Sequence, residues 1–213
     1  MLKRKGGYTL VELLVSLGIF GVLIGSLFTI LISQNNFFGR ASGAMEVGVT
    51  ARKVMVLLVK ELRTAKQEVV TVYDRPLDQA GVIEDHINGR SILFQVPVDF
   101  DGDGDFFDEN GLIEWGCEGG HEWAIEYYWD NTNNRVMRRL WDTSSTAVSE
   151  TVIAENISNF LIEGYMYNGA AYERSSSCQL LKITVTAQKT TLLGRTLPTP
   201  LTYTLNNQVS WRN

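Results

Sequence analysis

The stretch LLVSLGIFGVLIGSLFTILI, residues 13–32, decides how this chain is organised. It contains no charged side chain, and twenty helical residues span about 30 Å, the thickness of the hydrocarbon core of a bilayer. The polar run SQNN follows at residues 33–36, where a secretory signal peptide would show a small-x-small cleavage site. We therefore predict a single-pass membrane helix. Basic side chains at positions 3–5 place the short N-terminal end in the cytoplasm and the rest of the chain outside.

Glu12 is the only charged residue between Lys5 and Arg40. A carboxylate inside an apolar span costs roughly 2.5–3.5 kcal/mol on insertion scales, so it needs a partner. If the chain were cut after Gly7, the new amine of Tyr8 would be a cation at the same membrane depth. The positive end of the helix dipole would also favour the Glu12 carboxylate.

The hexapeptide GYTLVE, residues 7–12, resembles, together with its basic leader, the type III signal of type IV prepilins and type II secretion pseudopilins. The resemblance implies that a prepilin peptidase cuts after Gly7 and N-methylates Tyr8. It also implies that Glu12 pairs with the N-terminal amine of a neighbouring subunit. Tyr8 departs from the commoner phenylalanine, and the first proline is Pro76, whereas many major pilins carry one in the first helix.

The same resemblance implies where the protein resides and what it contacts. We expect it in the bacterial inner membrane and then in a pilus or pseudopilus. Its expected partners are other pilins or pseudopilins, bound through the helix, the prepilin peptidase and the inner-membrane assembly platform.

A second apolar pattern follows the membrane stretch and predicts that the helix continues. Residues at spacings of three and four form one buried face. The chain should therefore divide into a leader (1–7), one helix (8–66, with 8–32 in the membrane) and a β-rich domain (67–213). Glycines at 39, 43 and 48 indicate a bend or a loosened stretch. The predicted buried face consists of Val47, Ala51, Val54, Met55, Leu58 and Leu62.

Residues 67–213 are dominated by segments rich in β-branched and aromatic residues, which are typical of strands. Residues 130–134 predict a hairpin turn and residues 197–200 a loop. Residues 154–165 are ambiguous between a helical turn and a strand. One long helix packed on an antiparallel sheet gives an α+β fold. The predicted strands are 69–73, 91–98, 123–129, 136–141, 180–187 and 201–211.

The domain more loosely resembles J-type pseudopilins and W-type minor pilins. The segments that carry this resemblance are YYWDNTNNRVMRRLW (127–141), IAENISNFLIEGY (153–165) and NNQVSWRN (206–213). It favours a minor pilin or pseudopilin of a type IV pilus or a type II secretion apparatus. The alternative is a pilus-tip adhesin or another ligand-binding subunit.

The charge balance and the missing motifs narrow the possible functions. The formal net charge is −5, and removal of Lys3, Arg4 and Lys5 with the leader would change it to −8. An acidic chain does not have nucleic acid as its default partner, because phosphate backbones require a basic face. No G-x-S-x-G, H-E-x-x-H or phosphate-binding glycine loop occurs, so we do not expect an enzyme.

The chain contains no lysine or arginine between Arg90 and Arg135, and this stretch holds eleven acidic residues. Alternating carboxylates with glycines suit Ca²⁺, and D-x-D-x-D-G from Asp99 matches the first half of a calcium-loop pattern. Asn110 stands at the twelfth position, where a bidentate glutamate is expected, and the flanks are not helical. We predict a weak calcium site; the alternative is a solvated acidic loop. The candidate ligands are Asp99, Asp101, Asp103, Asp105, Asp108 and Glu109.

Two cysteines complete the set of candidate sites. Cys117 and Cys178 are predicted to form one disulfide, since the domain should lie outside the cytoplasm; the alternative is two buried thiols. Cys117 and His121 could suggest zinc, but structural zinc sites usually show paired close ligands, which are lacking here.

Overall fold

The computed structural model describes residues 9–67, 70–73, 88–117, 123–142, 144, 146–167, 172–174, 179–192 and 195–211. The chain divides into two compact units, Met1–Gly43 and Ala44–Asn213. Helix α1, Leu10–Leu62, supplies the described part of the first unit and the first element of the second. It is helical through the glycines at 39, 43 and 48.

In the first unit, apolar side chains are exposed on all sides of α1. Leu13, Ile19 and Val22 are examples, and at about 100° per residue they point in different directions. The hydroxyls of Ser16 and Thr29 donate to the carbonyls of Glu12 and Gly25, at 2.7 and 2.9 Å. These bonds satisfy the polar groups within the helix. By length and composition, α1 is able to cross a membrane.

In the second unit, α1 has one buried face, and all six residues predicted for it are buried. The helix ends at Leu62, four residues before the predicted Lys66. A turn of the 3₁₀ type follows, in which Ala65 N donates to Leu62 O, three residues earlier, at 3.3 Å. Lys66 N then donates to Gln95 O at 3.0 Å, which draws the chain away from the helix axis.

Twelve strands follow the helix within the described residues. They are β1 (Thr71–Tyr73), β2 (Asn88–Gly89), β3 (Ser91–Phe94), β4 (Val96–Pro97), β5 (Trp115–Gly116), β6 (Ala124–Asp130), β7 (Arg135–Trp141), β8 (Ala147–Glu155), β9 (Ile157–Tyr167), β10 (Tyr172–Arg174), β11 (Leu180–Leu192) and β12 (Arg195–Ser210).

These strands form two antiparallel sheets and one short ladder. The first sheet has the order β1-β3-β6-β7-β8, and the second has the order β10-β9-β11-β12, with β2 also paired to β9. Strands β4 and β5 make the ladder. Asn156, at φ 60°, lies between β8 and β9, where the chain passes from one sheet to the other. Both sheets and the buried face of α1 contribute to one hydrophobic core. The predicted α+β class is therefore confirmed.

Two local expectations in this region are corrected. The ambiguous stretch 154–165 contains no helical turn, because it belongs to β8 and β9. The predicted loop 197–200 falls within the bounds of β12, but its four residues have no partner in β11, because the register between the two strands shifts there. Pro198 and Pro200 are tolerated because the register shift leaves no ladder hydrogen bond for their missing N–H groups to make. The hairpin turn at 130–134 is confirmed between β6 and β7.

The first sheet contains a row of charged side chains set by its register. Glu126 pairs with Arg139, and Arg139 with Glu150, across β6, β7 and β8. Glu126 is fully buried and accepts from Trp141 Nε1 at 2.7 Å. Arg139 lies over the rings of Tyr128 and Trp141, and its Nη2 donates to Glu150 Oε1 at 2.6 Å. This row lies on the face of the first sheet that is opposite to the core. Its positive and negative charges compensate one another.

Candidate functional site

The first candidate site is the N-terminal turn of α1. One carboxylate oxygen of Glu12 accepts from Thr9 N at 2.9 Å and from Thr9 Oγ1 at 3.0 Å. In return, Glu12 N donates to Thr9 Oγ1 at 3.2 Å. This reciprocal pair is a capping box, in which Thr9 is the N-cap and Glu12 the third helical residue.

The capping box changes how Glu12 is understood. The sequence predicts a neighbouring amine as the partner of the Glu12 carboxylate, whereas in the structure Thr9 donates to it. The spacing T-x-x-E over residues 9–12 is the signal that would have revealed it. Glu12 therefore already has a partner within its own chain. Gly7 and Tyr8 lie outside the described residues, so cleavage and methylation there remain predictions.

The second candidate site is the acidic loop, residues 99–113, between β4 and β5. Its base is closed by Val98 N, which donates to Glu114 O at 3.0 Å. Further along, Glu114 N donates to Phe106 O at 2.9 Å, and Asp108 N donates to Leu112 O at 2.8 Å. The loop is thus folded on itself and held at the end of a ladder.

Three of the six predicted ligands come together in this loop. One carboxylate oxygen from each of Asp99, Asp101 and Asp103 lies within 4.8 Å of the others. Asp99 accepts from Gly102 N at 2.8 Å and from Gly104 N at 3.1 Å. Both glycines have positive φ, +77° and +95°, a conformation that glycine adopts without steric cost. The glycines therefore fold the backbone around Asp99.

The other three predicted ligands are not part of this group. Asp105 accepts from Phe107 N at 2.7 Å, and Asp108 accepts from the backbone of Asn110 and Leu112, both at 2.8 Å. Glu109 lies in the exposed turn between them. Glu114, which was not among the predicted ligands, is buried and accepts from Phe100 N at 2.9 Å.

The surroundings of Asp101 disfavour its charged form. The hydrogen bond from Asp103 N lowers the pKa of Asp101. Partial desolvation and the negative charges of Asp103, Glu114 and Asp99 outweigh it, so the pKa of Asp101 is raised above its ordinary value. A cation bound here would relieve that repulsion, because it favours the charged form of each carboxylate.

Cys117 is buried in the core next to the loop. Cys178 and His121 lie outside the described residues, so the disulfide remains a prediction.

The fold and the N-terminal helix together define a pilin-like layout, in which one long apolar helix precedes a domain of antiparallel sheets. Residues 2–28 match the family model for the prokaryotic N-terminal methylation motif. The matched residues include Gly7, Tyr8 and Glu12. No curated protein and no solved structure matches the chain.

The motif supports a type IV pilin-like or pseudopilin subunit. It indicates a structural role rather than catalysis, assembly with other pilins and processing by a prepilin peptidase. Together with the apolar helix it fits a membrane-anchored protein.

Proposed function

We propose that this protein is a minor pilin or pseudopilin of the J or W type, a structural subunit of a type IV pilus or a type II secretion pseudopilus. The observation that carries the proposal is the methylation motif over residues 2–28, whose residues 10–28 lie on a helix with exposed apolar side chains on all sides. Such a surface requires a bilayer or other apolar helices around it.

The proposed mechanism is assembly through the helix. In the inner membrane, with the leader on the cytoplasmic side, prepilin peptidase removes residues 1–7 and methylates the amine of Tyr8. The amine of a neighbouring subunit then binds Glu12. This contact joins two ionised groups, whereas each bond from Thr9 joins the carboxylate to a neutral donor, so the amine can compete with Thr9 for Glu12. One carboxylate in an otherwise uncharged span fixes the register of adjacent helices.

Processing is tested first, by intact-mass and N-terminal peptide analysis of the protein from native membranes. We expect a mature chain that begins at N-methylated Tyr8. Recovery of the unprocessed chain alone would contradict the proposal.

The role of Glu12 is tested by separating its charge from its cap. Glu12→Leu removes both, Glu12→Gln removes the charge and keeps a side chain able to cap, and Thr9→Val removes the hydroxyl and keeps the charge. We expect all three to insert into the membrane. Only the two Glu12 variants should be lost from sheared filament fractions. Equal loss of Thr9→Val, with normal processing, would make Glu12 a helix cap instead.

We further propose that the acidic loop binds Ca²⁺ weakly through Asp99, Asp101 and Asp103. The spacing of their oxygens, within 4.8 Å of one another, supports this, because one ion at about 2.3–2.6 Å from each would satisfy it. Ca²⁺ takes about six to eight oxygen ligands, so water molecules would complete the site.

We also propose that Cys117 and Cys178 form a disulfide. The expected export of the domain to an oxidising compartment supports it. The unreduced, unfolded protein should resist alkylation at both positions, and labelling of both thiols would contradict the bond.

A further inference from the structure

The part of α1 in the second unit has an exposed face that is both apolar and basic. Met45, Val49 and Val56 are 74%, 68% and 58% exposed. Arg52, Lys53 and Lys60 are exposed beside them. At about 100° per residue, all six fall within an arc of roughly 100°, on the side away from the buried residues. We call these six residues the helix face.

The charges of the helix face are not compensated within the part of the chain that the structure describes. The side chains of Arg52, Lys53 and Lys60 make no hydrogen bond or ion pair there. The acidic residues of α1 in the same region bind elsewhere, since Glu61 pairs with Arg138 and Glu46 with Lys189. Three cations and three apolar side chains are therefore available to a partner.

The acidic loop has the complementary composition. It contains six carboxylates and no basic side chain. It also exposes apolar side chains, among which Phe106, Phe107 and Leu112 are 51%, 48% and 66% exposed. An acidic and apolar segment matches a basic and apolar face in charge and in the mixture of side chains.

We propose that the helix face of one molecule binds the acidic loop of a second copy of this chain. The two surfaces differ, so the contact is heterologous and leaves a free helix face on one copy and a free loop on the other. The contact lies in the second unit and does not involve Glu12, so it goes beyond the proposed anchoring and assembly of the helix.

The contact is tested in the full-length protein in membranes. Two differently tagged copies are co-expressed, one with a photoreactive phenylalanine analogue in place of Val56. Illumination is carried out with chelator, so that calcium does not neutralise the loop. We expect a cross-linked product with both tags, and peptide mapping should place the bond within residues 99–113. The same analogue at Asn133, in the exposed turn between β6 and β7, is the matched control and should give no such product.

Charge reversal makes the test specific. Arg52→Glu with Lys53→Glu in the labelled copy should reduce the product by about tenfold or more, since like charges face each other. Asp105→Lys with Glu109→Lys in the second copy should restore it, while leaving Asp99, Asp101 and Asp103 unchanged. Restoration requires that both variants fold. A product that is insensitive to reversal would overturn the proposal. So would cross-links to lipid or to a different subunit in place of the loop.

Discussion

The two halves of helix α1 differ in what surrounds their leucines. Leu27, in the first unit, is 60% exposed, whereas Leu58, in the second, is fully buried. Both halves are rich in leucine and valine, so the amount of apolar residue does not separate them. The two halves differ in the position of their polar residues, because basic side chains recur on one side of the second half. The second half is stabilised by its own domain, and the first half needs an apolar partner from outside.

The largest expected effect comes from truncating one leucine in each half. Leu58→Ala should lower the free energy of unfolding by roughly 2–5 kcal/mol, since it removes buried methyl groups and leaves a cavity. Leu27→Ala should leave the unfolding of the domain unchanged. Denaturant unfolding of the full-length chain in detergent measures both. A similar loss in the two variants would mean that the domain also buries the first half.

Calcium should stabilise the domain and leave the first half unaffected. Ligand binding to the folded state alone adds about 2.7 kcal/mol at a hundredfold excess over the dissociation constant. The melting temperature should therefore be higher in calcium than in chelator. Asp101→Ala with Asp103→Ala should abolish the difference, and Asp105→Ala with Glu109→Ala is the matched control outside the three-carboxylate group. Identical melting with and without calcium would make the loop a solvated acidic turn.

The two halves also contain glutamates with different expected roles. Glu61 pairs with Arg138 of β7 at 3.2 Å, and both side chains are mostly buried, 25% and 17% exposed. Glu61→Gln should lower the free energy of unfolding by about 1 kcal/mol, the usual size of a single polar contact. Glu12→Gln should not change that free energy and should impair filament incorporation. A loss of stability in Glu12→Gln and impaired filament incorporation in Glu61→Gln would contradict these two roles.

The smallest expected effect depends on pH. The hydrogen bond from the Tyr128 hydroxyl, followed by those from Arg139, lowers the pKa of Glu150 below its ordinary value of 4.5. A lowered folded-state pKa adds stability above the ordinary value, and this stability is lost as the pH falls through the folded-state pKa.

Glu150→Gln should therefore be less stable than the natural chain above about pH 5, by at most about 1 kcal/mol because the side chain is 40% exposed. The difference should vanish in acid. Melting curves across this range measure it, with Glu155→Gln on the same strand as the control. A gap that is independent of pH would show that the loss does not come from ionisation.

Much of the fold follows from periodicity. The buried face of α1 and the turn at 130–134 were predictable, because a repeat of three to four and a run of turn-forming residues depend only on local sequence. Strand β8 was missed, since most of its side chains are exposed and no apolar alternation marks them. The prolines at 198 and 200 predict a loop, and the structure keeps residues 197–200 within β12 but without partners in β11.

The candidate sites were predictable in outline only. The density of carboxylates in residues 99–109 is visible in the sequence, but which three converge depends on the backbone turns at Gly102 and Gly104. The partner of Glu12 was missed for a different reason. A carboxylate in an apolar span predicts a cation as its partner, but the donor in the structure is Thr9, three residues away.

The contact between Trp211 and Leu62 can form only at the end of synthesis. The indole nitrogen of Trp211 donates to the Leu62 carbonyl at 3.1 Å, across 149 residues of chain. At about 5–20 residues per second, the end of the helix is made roughly 7–30 s before the tryptophan that binds it. Contacts over such separations also form slowly, because a large loop must close first. For that interval the buried face of α1 lacks its final strand and is open to chaperones or to the helices of other nascent chains.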